Sequence, residues 1–289
     1  MHPKHLFEIF GREVYAYGIC MAVGIILCFA FLMYTMAYKK FNDASSNAIL
    51  FIGIFGTGFG IFSAMVFQGV YNVIAGGKFD LSSMTFIGGL IGGVVSFVAV
   101  WNIYVYAIHP HTKIKWLNAE MNASLSDALP FIPIGITIAH AFGRFGCFWA
   151  GCCYGLQTDA WYGLPCAGYN NIAGVNFIPT QLFEMIFLLA LGGAMAVLYF
   201  KFNFKYNFSI YAIAYGVWRF LIEFIRGDER GELFPGSILS PSQIWSIAMV
   251  AVGVGYIFLQ MYVFNKLMKH PELSEKDVQP ENNKKVKNA

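Results

Sequence analysis

The chain has 289 residues, of which 57% are hydrophobic, 18% aromatic and only 12% charged. A soluble domain carries about 25% charged residues, so a water-facing globule of this length would lack the polar material to cover its surface. A net charge of +3 argues against a nucleic-acid partner, and six cysteines are too few for a disulfide scaffold. The composition leaves a polytopic membrane protein, in which each crossing helix needs roughly 20 mostly apolar residues. Seven stretches qualify: Val14–Tyr38, Ile49–Val73, Met84–Ile108, Ala128–Phe148, Pro179–Phe200, Phe208–Phe224 and Ile244–Leu267. The first is expected to stay uncleaved, because its apolar run exceeds the roughly 7–15 residues of a signal peptide and no small-residue cleavage site follows.

Lys and Arg in the connections set the expected orientation. One side receives Lys39, Lys40, Lys113, Lys115, Lys201, Lys205 and the tail residues Lys266, Lys269, Lys276, Lys284, Lys285 and Lys287. The other receives Lys4, Arg12, Lys78, Arg226 and Arg230. The excess on the first side predicts an external N-terminus and a cytoplasmic C-terminus. The expected fold class is an all-α integral membrane protein of seven helices. One transmembrane domain covers 1–268, and 269–289 reads as a polar, disordered cytoplasmic tail.

Along the chain, Gly56 and Gly60 stand four apart, as do Gly88 with Gly92 and Gly89 with Gly93, a spacing that lets helices approach closely in lipid. On spacing alone, packing is a better reading of these glycines than a ligand role. Arg144 in the fourth span and Arg219 in the sixth lie where a charge costs on the order of 3 kcal/mol, so each must face a partner or a polar cavity. Arg219 has Glu223 one turn along its own helix and Arg226 three residues further. Arg144 has no carboxylate in its own segment and is flanked by Gly143 and Gly146, an arrangement open to an anion. The abundant anion of a bilayer is a lipid phosphate, and two arginines from separate helices could clamp one headgroup. Glu184 is a further ionisable residue in the fifth span, behind Pro179, Thr180 and Gln181. His140, one turn before Arg144, is either a base or a hydrogen-bonded core residue. Cys147, Cys152, Cys153 and Cys166 gather at the end of the fourth span. Their spacing does not match the paired CxxC of a zinc site, so no metal is expected, and a disulfide involving Cys166 is the stronger reading.

Taken together, GRFGCFWAGCCYG (Gly143–Gly155), PTQLFE (Pro179–Glu184), YGVWRFLIEFIRGD (Tyr215–Asp228) and FIGGLIGG (Phe86–Gly93) resemble the prolipoprotein diacylglyceryl transferase family in order and spacing. AYG (Ala16–Gly18) and SPSQ (Ser240–Gln243) extend the likeness across all seven spans. The resemblance implies a multi-pass enzyme of the bacterial plasma membrane without a cofactor. Such an enzyme moves the diacylglyceryl group of phosphatidylglycerol to the cysteine thiol of a prolipoprotein and releases glycerol 1-phosphate.

Carried over residue by residue, the resemblance gives Arg144, Arg219, Glu223 and Tyr17 the catalytic roles. It puts Arg144, Arg219, Gly143, Gly146, Gly155, Gln181, Glu184, Gly88 and Gly89 around the lipid and its phosphate. His140, Cys147, Cys152 and Arg226 are additional candidates. The sequence departs from the family where Cys147 replaces an Asn, Cys152 a Glu, and Ile87 and Ile178 two His. The cysteines act either as nucleophiles or as small weakly polar fillers, and the second reading is favoured. Two other functions stay open on these residues: a paralogue that hands the same lipid group to a glycan or hydroxyl outside the cytoplasm, and a non-catalytic binder of anionic lipid.

Overall fold

The computed structural model describes residues 5–9, 12–74, 77–81, 86–109, 111–114, 119–166, 175–227 and 239–269. Met84 at the start of the third expected span, Lys4, Arg230 and the tail beyond Lys269 lie outside them. The first two elements are strands, β1 (His5–Ile9) and β2 (Arg12–Tyr15), paired antiparallel. They correct the start of the first expected span: Val14 and Tyr15 belong to β2, and the helix α1 runs Ala16–Tyr38. Val14 is β-branched and Tyr15 aromatic, side chains that a pleated strand accommodates.

Seven further helices follow among the described residues. They are α2 (Asp43–Ile74), α3 (Phe86–Asn102), the short α4 (Leu125–Ala128), α5 (Ile132–Ala150), α6 (Thr180–Phe202), α7 (Asn207–Ile222) and α8 (Pro241–Lys269). A π-helical stretch, Ile103–Ile108, extends α3, and a 3-10 turn, Glu223–Ile225, extends α7. Two short strands, β3 (Leu164–Pro165) and β4 (Asn176–Phe177), pair between α5 and α6. Thus the described residues are mostly helical, with two small sheets that the sequence reading did not contain. Among the described residues, five helical segments are long and apolar enough to cross a membrane: Ala16–Tyr38, Asp43–Val73, Thr180–Phe202, Asn207–Ile225 and Pro241–Tyr262. Gly92–Ile108 is a shorter apolar helix. Helix α5 is not among the five, and it carries the polar series Thr137, His140 and Arg144.

The start of α8 explains the SPSQ motif. Ser240 N–H donates to Gln243 Oε1 at 3.0 Å, and Gln243 N–H donates back to Ser240 Oγ at 3.2 Å. This is a capping box, with Pro241 in the first turn where its missing N–H costs nothing. The helix therefore begins three residues before Ile244.

The chain divides into two compact units, Phe29–Leu129 and the remainder, Met1–Cys28 with Pro130–Ala289. Within the first of these, α2 and α3 cross through their glycines. A Cβ at Gly60 would stand 3.0 Å from Gly89 O and 3.1 Å from Gly93 Cα. Ser63 Oγ donates to Gly88 O at 2.9 Å across the same crossing. Gly88 and Gly89 thus serve the close helix approach that their spacing allows.

Within the other unit, α5 packs on α6 and α7 on α8. Ala141, Leu188 and Tyr215 form a buried core, and Phe187 stacks on Trp218 at 4.3 Å. Three connections are laced together beside this core. Gly155 N–H donates to Ile178 O at 2.8 Å, Leu156 N–H to Ile225 O at 2.9 Å, and Gly227 N–H to Tyr154 O at 3.2 Å. These bonds tie the C-terminal end of α5, the N-terminal end of α6 and the C-terminal end of α7 into one platform.

At the α7–α8 crossing, a Cβ on Gly216 would meet Val250 Cγ2 at 2.8 Å and Ser246 O at 2.9 Å. Because one of those atoms is backbone, the helices themselves must move apart. Gly216→Ala is expected to cost about 1–3 kcal/mol and to lower the melting temperature in detergent. Gly193→Ala, where no atom lies within 4 Å, should leave that temperature unchanged.

Candidate functional site

Arg144 lies on α5, and its missing counter-charge comes from the next helix. Its Nη2 stands 3.0 Å from Glu184 Oε1 of α6, with the two side chains 13% and 0% exposed. Tyr215 of α7 completes the group: its hydroxyl donates to the same Glu184 oxygen at 2.8 Å and lies 3.4 Å from Arg144 Nη2. A buried carboxylate with two donors is a stable anchor, whereas a buried unpaired one is not. A guanidinium carries five N–H donors. Glu184 and Tyr215 engage Nη2, which leaves further donors for an anion.

His140, one turn earlier on α5, sits beside this group. Its Nδ1 is 3.2 Å from the Tyr211 hydroxyl, and its ring meets Tyr215 edge-on at 4.6 Å. Tyr211 and Tyr215 stack on each other with centroids 5.8 Å apart.

The second arginine forms its own cluster. Arg219 Nη1 lies 2.7 Å from Glu223 Oε2, the one-turn partner its spacing predicts, and Nη2 donates to Ser242 Oγ of α8 at 2.8 Å. Ser240 Oγ donates to Glu223 Oε1 at 2.8 Å, and Arg226 Nε approaches Glu223 Oε2 at 3.9 Å. Glu223 therefore gathers two arginines and a serine. The two clusters meet on α7, which carries Tyr215 of the first and Arg219 of the second one turn later. Tyr215, Arg219 and Glu223 recur every four residues, which places them on one face of α7.

The remaining candidates divide by what surrounds them. A Cβ on Gly143 would meet nothing within 4 Å, so the backbone beside Arg144 is open. At Gly146 a Cβ would come 3.0 Å from Tyr17 Cδ2 and 3.2 Å from Tyr17 O, which makes this glycine the crossing point of α5 and α1. Tyr17 is thereby held near Arg144 and the cysteines 147, 152 and 153. Gly155 has no room for a side chain, with Ile178 Cβ and Ile225 O each 2.7 Å from an added Cβ. It belongs to the platform rather than to an open cleft. Gln181 is buried and uses Nε2 to hold Cys152 O.

The cysteines are brought together by the end of α5. Gly151 adopts φ 70° and its N–H turns back to Cys147 O and Phe148 O, ending the helix in the left-handed cap that glycine favours. Cys152 N–H then donates to Cys147 O at 3.2 Å. This fold-back places the sulfurs of Cys147, Cys152 and Cys153 within 4.8 Å of one another. Cys166, for which the sequence favours a disulfide over a metal, is a free thiol and donates to Gly151 O at 3.1 Å. Sequence reasoning missed the roles of Tyr215 and Ser242. Only their spacing from Arg219 and their place in quoted motifs pointed to them.

Comparison with known proteins bears on the same stretch of chain. The model of one protein family, described as prolipoprotein diacylglyceryl transferase, matches residues 4–259. A phosphatidylglycerol–prolipoprotein diacylglyceryl transferase of Clostridium tetani is 31% identical over 90% of this chain and 96% of its own length. A second such protein, from Clostridium perfringens, is 30% identical over 93% of this chain and 98% of its own. One from Finegoldia magna is 31% identical over 92% and 98%.

Proposed function

The chain belongs to the prolipoprotein diacylglyceryl transferase family, and on that premise we propose that it moves the diacylglyceryl group of phosphatidylglycerol to a prolipoprotein cysteine. The observation that carries the reading is Arg144, a guanidinium with donors to spare, fixed by Glu184 and Tyr215 among apolar helices. Its remaining donors hold the phosphodiester of the lipid. Arg219, tied to Glu223 and Ser242, adds positive charge from the neighbouring cluster. Tyr17, packed against Gly146, lines the same site.

The acceptor thiolate attacks the glyceryl carbon that bears the phosphate ester. A carbon–sulfur bond forms, the carbon–oxygen bond breaks with its electron pair going to oxygen, and glycerol 1-phosphate departs. Arginines stabilise the charge that grows on the leaving phosphate. The thiol must first lose its proton, and His140, one turn from Arg144 and fixed through Tyr211, takes that role. The phosphate is itself the leaving group, so no enzyme nucleophile is needed, and Cys147 and Cys152 line the site without bonding to lipid.

The test is purified protein with phosphatidylglycerol labelled in its headgroup glycerol. Labelled glycerol phosphate should appear with a lipobox peptide and fail to appear with the same peptide carrying Ser for Cys. Release without any peptide would instead support a hydrolase or another acceptor.

The reading includes seven spans in the bacterial plasma membrane, as one transferase domain over 1–268, with α3 and α5 completing the five longer apolar helices. The lysine excess orients it with the C-terminal tail in the cytoplasm. A tag after Leu267 should be reached only after the cells are permeabilised, and one within 156–178 should be reached in intact cells. An externally labelled tail would overturn the orientation and the compartment of the chemistry together.

A further inference from the structure

The fold-back after α5 has been built around its sulfurs. Three consecutive carbonyls are each held by a side chain from another segment: Gly151 O by Cys166, Cys152 O by Gln181, and Cys153 O by Thr180 Oγ1 at 2.6 Å. Cys153 itself takes φ 62°, a left-handed conformation that a residue with a Cβ rarely adopts. That strain is held in place by the surrounding bonds, and the fold-back that contains it sets the three thiols against one another. Their sulfurs lie within 4.8 Å of one another. Three sulfurs bonded to one ion at about 2.3 Å stand about 4 Å apart, so small side-chain adjustments suffice. Two cations act on the group, Arg144 from α5 and Arg226 from the platform. Cys152 is exposed, which gives an entry path, while Cys147 and Cys153 are half-buried.

We propose that Cys147, Cys152 and Cys153 form a three-thiolate site for a soft d10 metal ion, of the Cu(I) type. Among the described residues the cluster consists of these three cysteines alone, with no imidazole or carboxylate joining it. A structural zinc site is closed by four ligands, whereas an all-sulfur set of three suits the softer, lower-coordinate Cu(I). The three thiols give up their protons to solvent as the ion binds. The site does not rest on the transferase reading, because binding is measured without lipid or acceptor.

The experiment is anaerobic titration of the purified full-length chain in detergent with Cu(I), competed against a chromophoric Cu(I) chelator. One ion per chain should be withdrawn from the chelator. Cys152→Ser and Cys153→Ser should each lose that ion, while Cys28→Ser should keep it. X-ray absorption of the loaded protein should give three sulfur neighbours at about 2.3 Å. No withdrawal from the chelator, or withdrawal that survives both serine variants, would overturn the site. Should the variants fail to fold, the wild-type chain decides: Cu(I) should shield three thiols from alkylation, and equal labelling with and without Cu(I) overturns the proposal.

Discussion

Replacing Arg144 by Ala should lower transfer from phosphatidylglycerol by at least about 10²–10³-fold, the scale seen when one donor to a developing anion is removed. The guanidinium is the group on α5 that meets both Glu184 and Tyr215, and its other donors are what the phosphodiester would use. Lys should be a poor substitute, because a point charge lacks the planar fork that grips two phosphate oxygens. Arg219→Ala should also suppress transfer. It strips Glu223 of its 2.7 Å partner and leaves Ser242 without the guanidinium it accepts from. The measurement is turnover of labelled lipid at matched membrane abundance, with a lipobox peptide in excess. Normal turnover in Arg144→Ala would remove the phosphate-binding role. A defect confined to abundance in Arg219→Ala would reduce that residue to a helix lock.

Five of the expected spans were legible because long apolar runs have few alternatives in a chain this poor in charge. Arg219 and Glu223 were legible because one helical turn is a local relation. The β1–β2 hairpin was not, since Val14 and Tyr15 read equally well as the first turn of an apolar helix. Nor was the partner of Arg144. Glu184 lies forty residues downstream, on a helix whose rotation no local pattern fixes, and the carboxylate becomes a partner only when α5 and α6 pack. The cysteine cluster hid for a related reason. The spacing of 147, 152 and 153 matches no metal motif on a straight chain, and only the left-handed cap at Gly151 closes it. The resemblance read at Arg144, Arg219 and the SPSQ motif led to the family the chain belongs to. It could not say that SPSQ caps α8 and supplies Ser240 and Ser242 to the glutamate–arginine cluster.

Glu184 carries the sharpest test of how that arrangement works. It is fully buried, and a single oxygen, Oε1, receives both Arg144 and the Tyr215 hydroxyl. Removing one partner of a buried pair leaves the other charge uncompensated, at a cost of about 3–5 kcal/mol. Glu184→Ala should therefore lower both the amount of protein in the membrane and its melting temperature, and abolish transfer. Tyr215→Phe removes one hydrogen bond to a charged group, worth about 1.5–3 kcal/mol, and keeps the ion pair, so it should cost less on every measure. Glu184→Gln separates charge from shape. The amide oxygen can still accept from Arg144 and Tyr215, so the fold should survive at near-normal abundance, while the guanidinium loses the carboxylate that aims it. Transfer by this variant should fall while lipid binding in a vesicle assay is retained or strengthened, because the phosphate no longer competes with a resident anion. A Glu184→Gln protein with wild-type turnover would show that position and hydrogen bonding alone suffice. A Glu184→Ala protein as stable and active as wild type would show that the buried pair contributes neither to the fold nor to the reaction.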